Sequence, residues 1–171
     1  MFKETIETAR LLLRPFTLED IDASYQMNLD PEVVRYTHDG GVLTYEEIKE
    51  RITDVVLNDY PTNGFGRFAV ILKVTNAFIG FSGLKYLPEY DEVDLGYRFM
   101  KKYWGQGYAT ESCKVSIQFG FEQLKLDKIA GYALPENIGS IKVMEKLNFK
   151  FEKQFLEDDV LMDKYVLRKK V

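Results

Sequence analysis

Residues 93–111 limit what this chain can fold into more than any other stretch. The alternating run Val93-Asp94-Leu95-Gly96-Tyr97-Arg98-Phe99 predicts a strand over residues 93–100. It continues through Tyr103-Trp104-Gly105-Gln106-Gly107-Tyr108-Ala109-Thr110-Glu111 into an amphipathic helix expected over residues 108–124. Two glycines in three residues allow the sharp turn between them. The first N–H groups of a helix lack intrahelical partners, and the positive end of the helix dipole lies behind them. A strand, a glycine turn and a helix start therefore predict an anion cradle suited to a phosphate or pyrophosphate. Bulky side chains at Gly107 or Ala109 would keep such a ligand off the backbone.

The rest of the chain supplies partners for that unit. Residues 9–16 predict a first strand centred on Leu11, Leu12 and Leu13. Thr17 with Asp20 resembles a capping box, opening a helix that Asp30-Pro31 stops near Leu29. Residues 33–41 read as a helical turn and a Gly-Gly loop, placed to shape a substrate pocket. Thr44 and Glu47 form a second capping box, before a buried stripe of Ile48, Ile52, Val55 and Val56. Residues 67–74 and 77–86 predict a hairpin around Thr75-Asn76. A strand over residues 128–133 follows, then a helix from Pro135-Glu136-Asn137 to Leu147-Asn148, with Asn148 as a left-handed cap. Residues 149–156 and 160–167 predict a closing hairpin around Asp158-Asp159. With no repeat or linker, the 171 residues predict one α+β domain with a mixed sheet.

Composition narrows the function classes. The formal net charge is −4, and basic residues cluster only at Arg168-Lys169-Lys170, so non-specific nucleic-acid binding is disfavoured. An acidic surface suits a cationic partner such as an amine, a polyamine or a basic peptide. No apolar run approaches the ~18 residues that cross a bilayer, and the first residues lack the apolar block of a signal peptide. A cytoplasmic protein without a membrane partner is the expectation. Cys113 is the single cysteine, which fits a reducing compartment, and its inner helix face predicts a core thiol. His38 is the sole histidine and no Gly-x-Ser-x-Gly elbow is present, so a Ser-His-Asp hydrolase is disfavoured. Metal-ligand spacing is absent, and so is the early Gly-x-Gly-x-x-Gly of a dinucleotide-binding domain.

Three segments carry a resemblance. Thr8-Ala9-Arg10-Leu11-Leu12-Leu13-Arg14-Pro15 resembles the opening of the RimJ/RimL-like branch of the GNAT acetyltransferases. Trp104-Gly105-Gln106-Gly107-Tyr108-Ala109-Thr110-Glu111 resembles that branch's acetyl-CoA pyrophosphate loop, and Asn137-Ile138-Gly139-Ser140 with Lys146-Leu147-Asn148-Phe149 its last segment. They stand in family order and span almost the whole chain. The resemblance implies a single GNAT-like domain over residues 1–171: a mixed, twisted, mostly antiparallel sheet flanked by helices, with splayed central parallel strands at 93–100 and 128–133. It implies acetyl-CoA as donor and CoA as product. The pantetheine arm would lie in the splay on backbone near Tyr97 and Phe99. The pyrophosphate would sit on the N–H groups of Trp104, Gly105, Gln106, Gly107, Tyr108, Ala109 and Thr110, with Asn137 reaching from the next helix. The N-terminal α-amino group of a protein or peptide is the acceptor that the resemblance favours. Small-molecule amines, including polyamines and antibiotics, are the alternative within the same chemistry. A CoA-binding module without catalysis is the rival from another class. A homodimer is the assembly that the family suggests.

The transfer sets chemical needs. A protonated amine must lose a proton before it attacks a thioester. The oxyanion then needs a donor, available where strand pairing breaks near Tyr97 to Phe99. The departing thiolate needs an acid. Asp94 and Glu92 share one strand face; Asp94 is the first candidate for the base and Glu92 the second, although Asp94 could instead be a solvated residue paired with Arg98. Many family members carry a Tyr acid where this chain has Met144, so Ser140, one turn earlier, is the expected hydroxyl. Asn148 also departs from the family's usual glycine. Trp104 reads as a core plug under the loop, and Glu111 as a complement to the helix dipole.

Overall fold

The computed structural model describes residues 4–37 and 41–169. His38 and the centre of the 33–41 loop lie outside them. Eight strands form one sheet: β1 Ile6–Glu7, β2 Leu11–Arg14, β3 Arg67–Leu72, β4 Ala77–Leu87, β5 Glu92–Phe99, β6 Lys128–Ala133, β7 Lys150–Glu157 and β8 Val160–Arg168. Their spatial order is β1-β2-β3-β4-β5-β6-β8-β7, and every neighbouring pair is antiparallel except β5 with β6. The helices are α1 Ile21–Asn28, α2 Pro31–Val34, α3 Tyr45–Glu50, α4 Leu57–Asn63, α5 Tyr108–Glu122 and α6 Ile138–Lys146. Among the described residues, no helix is long and apolar enough to cross a membrane.

The strands form where β-branched and aromatic residues concentrate, because these side chains pack well on a half-buried pleated surface. One face of the sheet packs Ala69, Phe78 and Phe81 against Ile21 of α1 and Ile48 and Ile52 of the second helical stretch. The other face packs Leu84, Leu95 and Ile129 against Cys113 and Phe119 of α5 and Met144 of α6. Each fully buried large side chain here, such as Phe68, Phe149 or Ile129, stabilises the fold by roughly 1.5–3 kcal/mol. The hairpin turns use left-handed backbone at Asn76, Asp158 and Asp159, and Asn148 caps α6 at φ 69°. Short polar side chains tolerate that conformation best among non-glycine residues.

Two expectations change. Ala9 and Arg10 are not strand residues: Thr8 N–H donates to the Leu11 carbonyl at 2.9 Å, making them the turn of a β1–β2 hairpin. Pro15, without an N–H, cannot extend β2. The helix after Thr44 contains a π-helical stretch, Arg51–Val56, between α3 and α4. The wider π turn shifts the apolar stripe, leaving Ile52 buried but Val55 39% exposed.

Candidate active site

The site begins where the sheet comes apart. β5 and β6 are joined at one rung, Asp94 opposite Ala130. Met100 N–H donates to Ile79 O, which sets the alternation of the β4–β5 ladder. That register turns the backbone groups of Tyr97 and Phe99 away from β4 and toward β6. Beyond the rung they have no strand partner among the described residues, so a cleft edged by hydrogen-bonding groups opens between two parallel strands. The Trp104 indole N–H takes up the Phe99 carbonyl at 2.8 Å. Trp104 is thus no core plug: the residue is 46% exposed and is tied to the backbone that edges the cleft.

The glycine loop lies at the same end of β5. Gly105 and Gly107 have φ of 71° and 84°, the left-handed region that suits glycine, and Gly107 is the residue before α5. The first backbone bond of this helix runs from Glu111 N–H to Gly107 O. Among the described residues, no protein group accepts the N–H groups of Gly105 through Thr110. These are the donors that a pyrophosphate needs, with no Cβ in the way at Gly105 or Gly107. Ala109 and Thr110 are half-buried in the first turn, whereas Tyr108 is buried beneath it.

A clamp that the sequence did not reveal holds this loop. Thr8 Oγ1 donates to Glu111 Oε1 at 2.6 Å, and Arg10 Nε donates to Glu111 Oε2 at 2.7 Å. Arg10 Nη1 donates to the Gln106 carbonyl at 2.9 Å, and its guanidinium lies 4.4 Å from the Tyr108 ring centroid. Burial works against the Glu111 charge, but the Thr8 and Arg10 donors hold its carboxyl below the usual range. Glu111 therefore does more than face a helix dipole. Thr8-Ala9-Arg10 and Trp104–Glu111, far apart in sequence, are two halves of one loop.

The two candidate carboxylates have different surroundings. Asp94 is 6% exposed, so it is not the solvated partner of Arg98; its Oδ2 instead accepts from Arg67 Nη2 at 2.6 Å. Burial raises the Asp94 carboxyl above its ordinary range, with Arg67 opposing. Glu92 accepts from Lys128 Nζ at 2.6 Å, from Lys164 Nζ at 2.9 Å and from the Tyr132 hydroxyl at 2.5 Å. Burial disfavours its charge, yet Lys128, Lys164 and Tyr132 together hold it down to about 2. Such a carboxylate scarcely accepts a proton at neutral pH, so its three donors favour a structural anion over the second candidate base expected of Glu92.

On the opposite face, the Tyr97 hydroxyl donates to Ser140 Oγ at 3.3 Å. Burial pushes the Tyr97 phenol up, so it keeps its proton. Asn137 caps α6, its Oδ1 accepting from Ser140 N–H at 3.2 Å. That bond occupies the side-chain oxygen and leaves the amide N–H₂ as its group for any ligand. Met144 is buried against Gly131, far into the core cluster. Cys113 is fully buried, and burial pushes its thiol up to about 12. It is inert as a nucleophile.

Comparison with known proteins agrees with this geometry. Residues 10–150 match the family model described as acetyltransferase (GNAT) domain. The chain is 34% identical over 151 residues to a protein of Bacillus licheniformis described as uncharacterized N-acetyltransferase p20, covering 87% of this chain and 84% of that one. It superposes with a TM-score of 0.82 on a GNAT-family acetyltransferase from Bacillus anthracis, 28% identical, covering 96% and 98% of the two chains. The fold, at 16% identity, is also that of RimL, a ribosomal L7/L12 α-N-protein acetyltransferase solved with coenzyme A, with a TM-score of 0.80 over 96% and 98%. A mixed eight-stranded sheet with its parallel pair splayed beside a glycine-turn helix start, together with these matches, makes this chain an acyltransferase belonging to the GNAT acetyltransferase family.

Proposed function

We propose that this chain transfers the acetyl group of acetyl-CoA to a primary amine, the N-terminal α-amino group of a protein or peptide, acting as a single cytoplasmic domain of the RimJ/RimL-like branch. The observation that carries the reading is the one-rung splay at Asp94 and Ala130 beside the open N–H groups of Gly105 to Thr110. The cleft fits an amide-bearing pantetheine arm, and the loop fits a pyrophosphate. The branch is supported by the contact of Thr8 and Arg10 with Glu111, which joins two of the three segments bearing the resemblance. Bound there, acetyl-CoA supplies an activated thioester carbonyl. Tyr97 and Phe99 offer backbone donors to the pantetheine arm and to charge developing on the carbonyl oxygen. Asp94, raised toward neutrality by burial, takes the amine proton directly or through one water. Ser140, accepting from Tyr97, keeps its own hydroxyl proton free to donate to the departing sulphur.

The test is free-thiol release from acetyl-CoA with unblocked peptides beginning in Ala or Ser, polyamines and aminoglycosides. Release with the unblocked peptides, abolished when their N-termini are acetylated, is expected. Release confined to small amines would move the acceptor to that class. Silence across the panel, with CoA still bound in a calorimeter, would make the chain a CoA-binding module and overturn the enzymatic reading.

A further inference from the structure

We propose that Arg67 is a positioning residue for the transfer, holding the Asp94 carboxylate in place for proton acceptance, and that residue 96 must be glycine to admit it. The proposal rests on the reading of Asp94 as the base. Arg67 opens β3 ahead of the apolar run Phe68-Ala69-Val70-Ile71-Leu72. Its backbone is anchored: the Tyr60 hydroxyl donates to Arg67 O at 2.6 Å and accepts from Phe16 N–H at 2.9 Å. From there the side chain lies across β5. A Cβ built on Gly96 would stand 2.3 Å from Arg67 Nη2, 2.6 Å from Cζ and 2.8 Å from Nε. No side chain fits between the guanidinium and the strand. Nη2 meets Asp94 Oδ2 at 2.6 Å, and Cζ lies 5.6 Å from the Phe81 ring centroid. The geometry persists although it leaves Arg67 Nε buried with no acceptor among the described residues. A merely structural ion pair would gain nothing from that arrangement. Holding the carboxylate at the Asp94–Ala130 rung, where β5 and β6 begin to part, gives it a purpose.

The charges around Asp94 make the effect measurable. Lys85 lies opposite it on β4, Tyr132 approaches from β6, and Glu92 precedes it on β5, neutralised by Lys128 and Lys164. Cys113 of α5 stands on the other side of the sheet as a neutral thiol. Arg67 is the cation in direct contact with the carboxylate. Without it, burial acts with less opposition and Asp94 protonates at higher pH.

The experiment uses the full chain with Arg67→Met, Arg67→Lys and Gly96→Ala, and Asp94→Asn as control. Gly96→Ala leaves both members of the pair chemically intact and acts only by crowding the guanidinium, and its backbone is not in the left-handed region. The Asp94 carboxyl carbon is titrated by ¹³C NMR, and the pH profile of kcat/KM is recorded with acetyl-CoA and an unblocked Ser-initiated peptide. Arg67→Met and Gly96→Ala should both move the Asp94 titration and the acid limb of the profile upward by about 1–3 pH units. Arg67→Lys, which keeps a cation there, should leave the titration near its wild-type position. Unmoved titration in both Arg67→Met and Gly96→Ala would overturn the proposal, and should Arg67→Met fail to fold, Gly96→Ala decides alone. A titration that moves while the acid limb stays, or an acid limb that survives in Asp94→Asn, would instead overturn the reading of Asp94 as the base.

Discussion

Replacing Glu92 with Gln separates the structural reading of this carboxylate from the catalytic one. Its carboxyl falls from the ordinary 4.5 to about 2, because the donors from Lys128, Lys164 and Tyr132 outweigh burial. At about 1.4 kcal/mol per pH unit, that corresponds to about 3 kcal/mol of stability. The Lys128 side chain is 44% exposed, and solvent on that side screens its share, bringing the expected loss to about 2–3 kcal/mol. A lowered carboxyl stabilises fully above its unfolded value near 4.5 and loses that contribution as pH falls toward 2. Lys164 behaves oppositely. Burial works against its charge, but Glu152 and Glu92 raise it overall, so its contribution is lost only in the alkaline range. Urea unfolding of wild type and Glu92→Gln at pH 7, 5, 4 and 3 should therefore show a gap that is widest at pH 7 and narrows steadily below 4.5. Thiol release by the folded variant should stay within a few-fold of wild type. A gap as wide at pH 3 as at pH 7 would refute the electrostatic argument. Full stability with a roughly hundredfold lower kcat would return Glu92 to the catalytic machinery.

Further outcomes follow from the loop and from α6. Arg10→Ala removes a half-exposed ion pair and a ring contact worth about 1–2 kcal/mol together. Calorimetry should find CoA bound about tenfold more weakly, with kcat at saturation nearly unchanged; equal affinity would show that the loop holds its shape without the clamp. Gly107→Val places a β-branched residue at φ 84°, at a cost of about 1–3 kcal/mol. It should weaken CoA binding by about a hundredfold while circular dichroism stays native; wild-type affinity would place the pyrophosphate elsewhere. Ser140→Ala should lower kcat about a hundredfold, and Tyr97→Phe less, since Tyr97 acts through Ser140. Unchanged turnover in Ser140→Ala would remove it from the role of acid.

Much of the architecture was legible because local signals were strong. β6 and the closing hairpin matched their β-rich runs closely, and Asn148 took the left-handed cap expected of it. The N-terminal hairpin was missed because Ala9 and Arg10 directly precede the apolar run Leu11 to Leu13, with no turn signal to set them apart from the strand. The π stretch Arg51–Val56 was missed because its apolar spacing also satisfies an α-helix. At the site, the glycine loop could be read from Gly105 and Gly107, since backbone geometry is encoded locally. The fates of Asp94 and Glu92 could not. They are two residues apart on one strand face, alike in chemistry, and differ through cations donated by β3, β6 and β8.

By itself, the order of residues determined most of the elements, the glycine turn and, through its motifs, the likeness to the GNAT acetyltransferases. These depend on backbone conformation and apolar periodicity, which a short stretch of chain carries within itself. Only the tertiary structure decided which charges meet: Arg10 with Glu111, Lys164 with Glu92, Arg67 with Asp94 across Gly96. Electrostatic character depends on distance and burial in three dimensions, and residues up to 103 positions apart set it here.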